Sequence, residues 1–129
     1  MLKSILATAL LSLGAIQAQA HSPAACPNLS GDYVSQDGKQ RMKITATSVP
    51  GGVTYSFGEG SIPVTADGAS RPIDAGTYVG TCDNGKVSIV VTMNGAVVLT
   101  FSHSQINAKG DVRAVSTGMD ISDLTWLKR

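Results

Sequence analysis

Length, composition and charge limit this chain to one small, nearly neutral domain. It has 129 residues, of which 15% are charged and 5% aromatic, and its ten basic and nine acidic side chains give a formal net charge of +1. A chain of this length is expected to form a single domain. Recognition of nucleic acid or of an anionic membrane surface requires clustered Lys and Arg, so neither function is expected.

The first twenty residues have the pattern of a secretory signal peptide. Lys3 supplies a positive start, residues 4–16 are largely apolar, and Ala18-Gln19-Ala20 is a small-x-small cleavage signal. The apolar stretch is shorter than the ~20 residues that a membrane-spanning helix needs. We therefore predict a cleaved signal peptide over residues 1–20 and one domain over residues 21–129. We expect that domain to be periplasmic or secreted, with no membrane insertion after cleavage.

The two cysteines, Cys26 and Cys82, are expected to form a disulfide, because disulfides persist in the compartments that exported proteins reach. The bridge would close a loop of about 55 residues, which a chain-entropy argument values at roughly 4 kcal/mol. The alternative is that Cys26 is a lipoprotein anchor. However, Pro23-Ala24-Ala25 lacks the Leu that such anchors carry three residues before the cysteine, and acylation would leave Cys82 unpaired.

Apolar and polar residues alternate along most of the chain after Cys26, which is typical of antiparallel β-structure. In residues 41–48, one face carries Met42, Ile44 and Ala46. Pro50-Gly51-Gly52 is a turn signal, and the alternation resumes after it. The sequence therefore predicts a hairpin here, with Val53, Tyr55 and Phe57 on the second strand.

Two Asn-Gly pairs predict two further hairpins, because both residues tolerate the positive φ of a type I′ turn. A two-residue turn at Asn84-Gly85 would place Tyr78, Gly80 and Cys82 on the face that carries Val87, Ile89 and Val91. At the second pair we expect a three-residue loop, Met93-Asn94-Gly95, with Gly95 in a bulge. That loop would put Val97, Leu99 and Phe101 on the same buried face.

Four more strands are predicted near residues 29–34, 61–65, 111–117 and 124–128, and residues 66–72 form the longest predicted loop. The fold class is therefore all-β. We expect an antiparallel up-and-down barrel of about eight strands, since closure removes exposed sheet edges. A small β-sandwich is the alternative.

Residues Leu29-Ser30-Gly31-Asp32-Tyr33 follow Cys26 closely and have an L-x-G-x-aromatic pattern. This resembles the first strand of avidin-like and lipocalin-like (calycin) barrels, in which the aromatic residue, usually Trp, plugs the closed end. Avidins also pair a cysteine near this strand with one in a middle strand, as Cys26 and Cys82 would. The resemblance implies a barrel whose interior holds a small ligand or is filled by side chains. Avidin-type sites are walled by several Trp, whereas this chain has only Trp126, so biotin is not the expected ligand.

Inward-facing side chains of the middle strands are the candidate binding residues. A cavity inside the barrel would be lined by Met42, Ile44, Tyr55, Phe57, Tyr78, Val87, Ile89, Leu99 and Phe101. Of these, the residues expected to bind a ligand are Tyr55, Phe57, Tyr78, Leu99 and Phe101. The chain has two histidines, no phosphate-binding loop and no G-x-S-x-G motif, so we expect no catalytic residues and no enzyme activity.

Copper binding is a further hypothesis, although no cofactor is otherwise expected. Cleavage after Ala20 would leave His21 at the amino terminus, where its amine and imidazole could chelate Cu(II), with His103 as another ligand. This resembles the copper brace of lytic polysaccharide monooxygenases and of small copper-carrying β-barrels. The match is one residue, and Ser102-His103-Ser104 lacks the Asp-x-His pair of the copper carriers.

The most favoured function is a non-catalytic binding module for a small apolar ligand or a protein partner of unknown identity. The alternative is an envelope inhibitor or interaction protein, similar to the small disulfide-linked proteins that block host lysozymes. In that case the predicted loop at residues 66–72 would enter the partner's cleft, because exposed loops on rigid scaffolds commonly carry function.

Overall fold

The computed structural model describes residues 26–129, and the predicted signal peptide and His21 lie outside them. The described residues form ten strands and no helix. The strands are β1 (Gly31–Ser35), β2 (Arg41–Val49), β3 (Gly52–Phe57), β4 (Val64–Ala66), β5 (Ser70–Ile73), β6 (Gly76–Asp83), β7 (Lys86–Met93), β8 (Ala96–Gln105), β9 (Val112–Gly118) and β10 (Ser122–Lys128).

Nine of these strands form a closed barrel, which confirms the all-β barrel prediction. Neighbours run in the order β4, β3, β2, β1, β10, β9, β8, β7, β6, and β4 returns to pair with β6. The prediction of a strictly antiparallel barrel was wrong, since the β4–β6 pair is parallel. The reason is geometric: when strand direction alternates around a ring with an odd number of strands, one neighbouring pair must run the same way.

The prediction of a long loop at residues 66–72 was also wrong. Ala66 ends β4, and β5 begins at Ser70, so the connection is short. The missed strand β5 pairs with the first half of β6 and lies at the edge of the sheet, outside the ring. It contains Pro72, which lacks a backbone donor and is tolerated at a sheet edge, and this residue disguised the strand in the sequence.

The first Asn-Gly hairpin has the predicted geometry. Asn84 and Gly85 have φ values of 47° and 78°, and Asp83 pairs with Lys86. Cys82 then pairs with Val87, so its side chain shares the inner face of the sheet.

The second hairpin differs from the prediction. Asn94 and Gly95 form a two-residue turn, with Met93 opposite Ala96, and the extra residue is Val98 rather than Gly95. Leu99 and Phe101 face inward as predicted, opposite Val91 and Ile89. Val97 is 63% exposed and does not share their face.

The segment before β1 closes one end of the barrel, which we call the sealed end. Cys26 forms the predicted disulfide with Cys82, and Leu29 is almost completely buried. Two tyrosine hydroxyls hold the backbone of this segment: Tyr55 donates to the Pro27 carbonyl at 2.7 Å, and Tyr33 donates to the Leu29 carbonyl at 2.6 Å. The tyrosine of the L-x-G-x-aromatic pattern is therefore buried beneath the segment that closes the barrel.

The other end, at the start of β2 and the end of β3, is the open end. Here the inward-facing side chains are only half-buried, among them Met42, Phe57, Leu99 and Phe101. Residues nearer the sealed end, such as Ile44 and Val87, are almost completely buried. The interior is therefore packed at the sealed end and accessible at the open one.

Candidate functional site

A cleft of about 990 Å³ lies at the open end, beside β1, β2 and the residues that follow β3. Consecutive residues of a strand point to opposite faces, and the cleft touches both faces of the β1–β2 pair. Its inner lining consists of Tyr33, Met42, Phe57 and Trp126. Its outer lining is Asp32, Arg41, Lys43, Gly58, Glu59 and Arg129. The cleft therefore has an apolar inner part and a charged outer margin, and the outer margin contributes six of its ten lining residues.

The five predicted binding residues divide into two groups. Tyr55 and Tyr78 are buried, and each hydroxyl already has a structural partner. Tyr55 binds the Pro27 carbonyl, and burial raises its pKa. The Tyr78 hydroxyl accepts a hydrogen bond from the Thr65 amide at 2.8 Å, which helps to join β4 to β6.

The other three, Phe57, Leu99 and Phe101, are half-buried inner-face residues. Of the five, Phe57 lines the cleft. Its ring stacks on Tyr55 with centroids 5.5 Å apart and meets Phe101 edge-on at 6.2 Å. These contacts bring three of the predicted residues, Tyr55, Phe57 and Phe101, together.

Trp126 and Tyr33 are the inner-lining residues of the cleft that the sequence analysis did not assign to a binding site. Trp126 pairs with Val112 and Ser35, and its side chain is almost fully buried at the inner face. Its alternation with Leu124 in the sequence was a signal for an inward position on the last strand. The predicted up-and-down barrel implied that the last strand lies beside the first, but no local pattern contained the register that brings Trp126 to the cleft.

His103 is the most unusual polar residue of the interior. It is 8% exposed on the inner face of β8, in register with Val87 and Ala114. Its ring stacks on Phe57 with centroids 4.1 Å apart and meets Phe101 edge-on at 6.0 Å. We call Tyr55, Phe57, Phe101 and His103 the aromatic cluster.

The electrostatics of His103 follow from this apolar surrounding. Burial lowers its pKa from 6.5 to about 4, because the charged imidazolium would lose its hydration. Its Nδ1 atom is buried and has no hydrogen-bond partner. Its inward orientation follows from its parity with Leu99 and Phe101 along β8.

The copper hypothesis stays a prediction. His21 lies outside the described residues, so its distance from His103 is not defined. Within residues 26–129, no group of three or more His, Cys, Asp and Glu side chains is arranged to hold a metal ion.

Exposed apolar side chains flank one side of the open end, where β8 begins and β9 turns into β10. The Met119 amide donates to the Val98 carbonyl at 2.8 Å, which ties this turn to β8. The exposed residues are Val97, Met119, Ile121 and Leu124.

No family model, curated protein or solved structure matches this chain. The resemblance to calycin barrels is therefore supported at the level of a small closed β-barrel and no further. Within residues 26–129, no helix has the length and apolarity to cross a bilayer.

Proposed function

We propose that this protein is an exported, non-catalytic binding module that takes a small, largely apolar ligand into the open end of its barrel. The observation that carries the proposal is the contrast between the two ends. The sealed end is covered by residues 26–30, whereas Met42, Phe57, Leu99 and Phe101 remain half-buried at the other end. Apolar walls with a few polar groups are the usual lining of small-molecule sites.

The disulfide supports export, because cysteine pairs are rare in reducing compartments. The small closed barrel, which is compatible with the calycin type, supports binding rather than catalysis, since barrels of about this size commonly enclose one small ligand. Recognition through residues 66–72 is not proposed, because most of that predicted loop belongs to β4 and β5.

Trp126 makes ligand binding directly measurable, since it is the single tryptophan and lines the cleft. We expect 1-decanol, limonene or toluene to change the fluorescence emission of Trp126 in a saturable way. Each ligand that binds should also raise the thermal midpoint of unfolding, because it binds only the folded state. Phe57→Asp should abolish both effects by placing a charge in the cleft. Ile121→Asp is the control, because Ile121 is 83% exposed outside the cleft.

The proposal fails if none of the three probes changes the emission or the thermal midpoint of the folded protein. It also fails if Phe57→Asp binds as well as Ile121→Asp does.

A further inference from the structure

The outer margin of the cleft carries charged side chains that a purely apolar ligand would not use. Three of them are basic, Arg41, Lys43 and Arg129, and two are acidic, Asp32 and Glu59. All five residues are exposed. The three ion pairs within residues 26–129 join other residues, so the basic side chains of the margin have no carboxylate partner there.

The register of the strands places the surplus positive charge at the start of β2. Asp32 lies directly opposite Lys43, and its carbonyl accepts the Arg129 amide at 2.9 Å, so Asp32 stands between two basic residues. Arg41, by contrast, lies opposite Val34, which has no charge. Arg41 is therefore the basic residue of the margin with no acidic residue in register on β1.

Arg41 and Lys43 are two positions apart on one face of β2, so their Cα atoms are separated by about 7 Å. One anionic group between the two long side chains can contact both of them, and a guanidinium pairs well with a carboxylate. Met42, between them in sequence, points to the inner face, where it lines the cleft together with Phe57. Because β2 begins at Arg41, one ligand can pass around the start of the strand and contact both linings.

We propose that the ligand is an anionic amphiphile, with a carboxylate between Arg41 and Lys43 and an apolar chain against Met42 and Phe57. This assignment rests on the proposed binding function and adds the chemical class of the ligand. The charged margin is exposed, so the carboxylate keeps much of its hydration and avoids the cost of a buried charge. Because Glu59 lines the same margin, a group with one negative charge fits better than a group with two.

The test compares two probes with the same apolar chain, decanoate and 1-decanol, by equilibrium dialysis at neutral pH and low ionic strength. We expect the wild-type protein to bind decanoate about fivefold more tightly, the ratio that a favourable exposed ion pair provides. This preference should shrink at about 1 M salt, because exposed charges are then screened. Decyltrimethylammonium, which has the opposite charge, should bind more weakly than 1-decanol.

Arg41→Gln and Lys43→Gln should each reduce the preference for decanoate, and the double variant should bind decanoate and 1-decanol equally. Lys86→Gln is the matched control, because it removes the same charge from an exposed residue outside the cleft, at the start of β7. It should keep the wild-type preference.

Equal binding of decanoate and 1-decanol by the wild type would overturn the assignment of an anionic ligand. The same conclusion follows if the double variant keeps the preference, or if Lys86→Gln loses it as fully as the double variant does. If 1-decanol binds and decanoate does not, the anionic ligand is excluded while the proposed function stands. If neither these probes nor limonene and toluene bind, both proposals fail.

Discussion

At the scale of single residues, the interior of the barrel depends on how each polar group is satisfied. Tyr33 and Tyr55 use their hydroxyls to hold the segment at the sealed end. Asp111 is almost completely buried, and its hydrogen bond from Asn107 is the main cause of its lowered pKa. His103 is the exception, because its ring is buried among phenyl groups that offer no hydrogen-bond partner to its Nδ1.

The depressed pKa of His103 predicts that the protein loses stability in mild acid. The unfolded chain takes up this proton near pH 6.5, whereas the folded chain excludes it down to about pH 4. Protonation therefore favours the unfolded state as the pH falls through this window. The free energy of unfolding should decrease by about 3 kcal/mol between pH 7 and pH 4.

Urea unfolding of the wild type and of His103→Phe across this range measures the effect. The variant should show a nearly flat profile from pH 7 to pH 5. The carboxyls of Asp37, Asp67, Asp111 and Asp123 have lowered pKa values, so their contribution is lost mainly below this range. Equal slopes for both proteins would show that His103 is not the group responsible.

At the scale of strands and turns, the disulfide fixes the one segment that closes the barrel. Cys26 and Cys82 are 56 positions apart, so their bond removes much freedom from the unfolded chain. By contrast, the hydrogen bond from Tyr55 to Pro27 is expected to contribute about 1 kcal/mol to the free energy of unfolding, as a single hydrogen bond commonly does. The two contacts hold the same segment but differ in their expected contribution to the free energy of unfolding.

The double variant Cys26→Ala, Cys82→Ala should lower the free energy of unfolding by about 4 kcal/mol, the value expected for a loop of this length. Tyr55→Phe should lower it by about 1 kcal/mol. Urea denaturation at neutral pH measures both. A double variant that loses no more than Tyr55→Phe would contradict the assigned contribution of the disulfide.

The hairpins show which elements the sequence determines. Asn84-Gly85 is flanked by two strands whose buried faces match only with a two-residue turn, and the structure has that turn. At Asn94-Gly95 the extra residue could lie at Gly95 or at Val98, and both choices bury Leu99 and Phe101. They differ in the orientation of Val97, and valine suits a strand whether it faces inward or outward, so local sequence could not decide the matter.

At the scale of the whole molecule, alternation of apolar residues predicted the barrel but not how it closes. The inward orientation of Phe57, Phe101 and His103 follows from parity along single strands. Their mutual contacts depend on the stagger of strands from opposite sides of the ring, which no local pattern contains. The same holds for Trp126, whose place in the cleft depends on the register between β10 and β1.

Closure depends on a narrow seam between β4 and β6. Ala66 and Gly80 form the single residue pair in register there, supported by hydrogen bonds from the Gly68 amide to the Gly80 carbonyl and from the Thr65 amide to Tyr78. The β7–β8 pair, by comparison, extends over eight residue pairs. Glycine is needed at the seam, since a Cβ at position 80 would lie 2.9 Å from the Ala66 Cα and 2.9 Å from the Thr65 carbonyl oxygen.

The seam should therefore open before the rest of the barrel unfolds, because local opening begins where few contacts resist it. Native-state hydrogen exchange measures this: amides of β4 should exchange by a local opening of low free energy, and those of β7 and β8 only by global unfolding. Gly80→Ala should speed exchange in β4 far more than in β8, because its methyl group forces the two strands apart. Thr81→Ala is the control, since Thr81 is exposed on the same strand. Equal protection of β4 and β8 in the wild type would mean that the seam is as strong as the antiparallel pairs, and the barrel would then open as one unit.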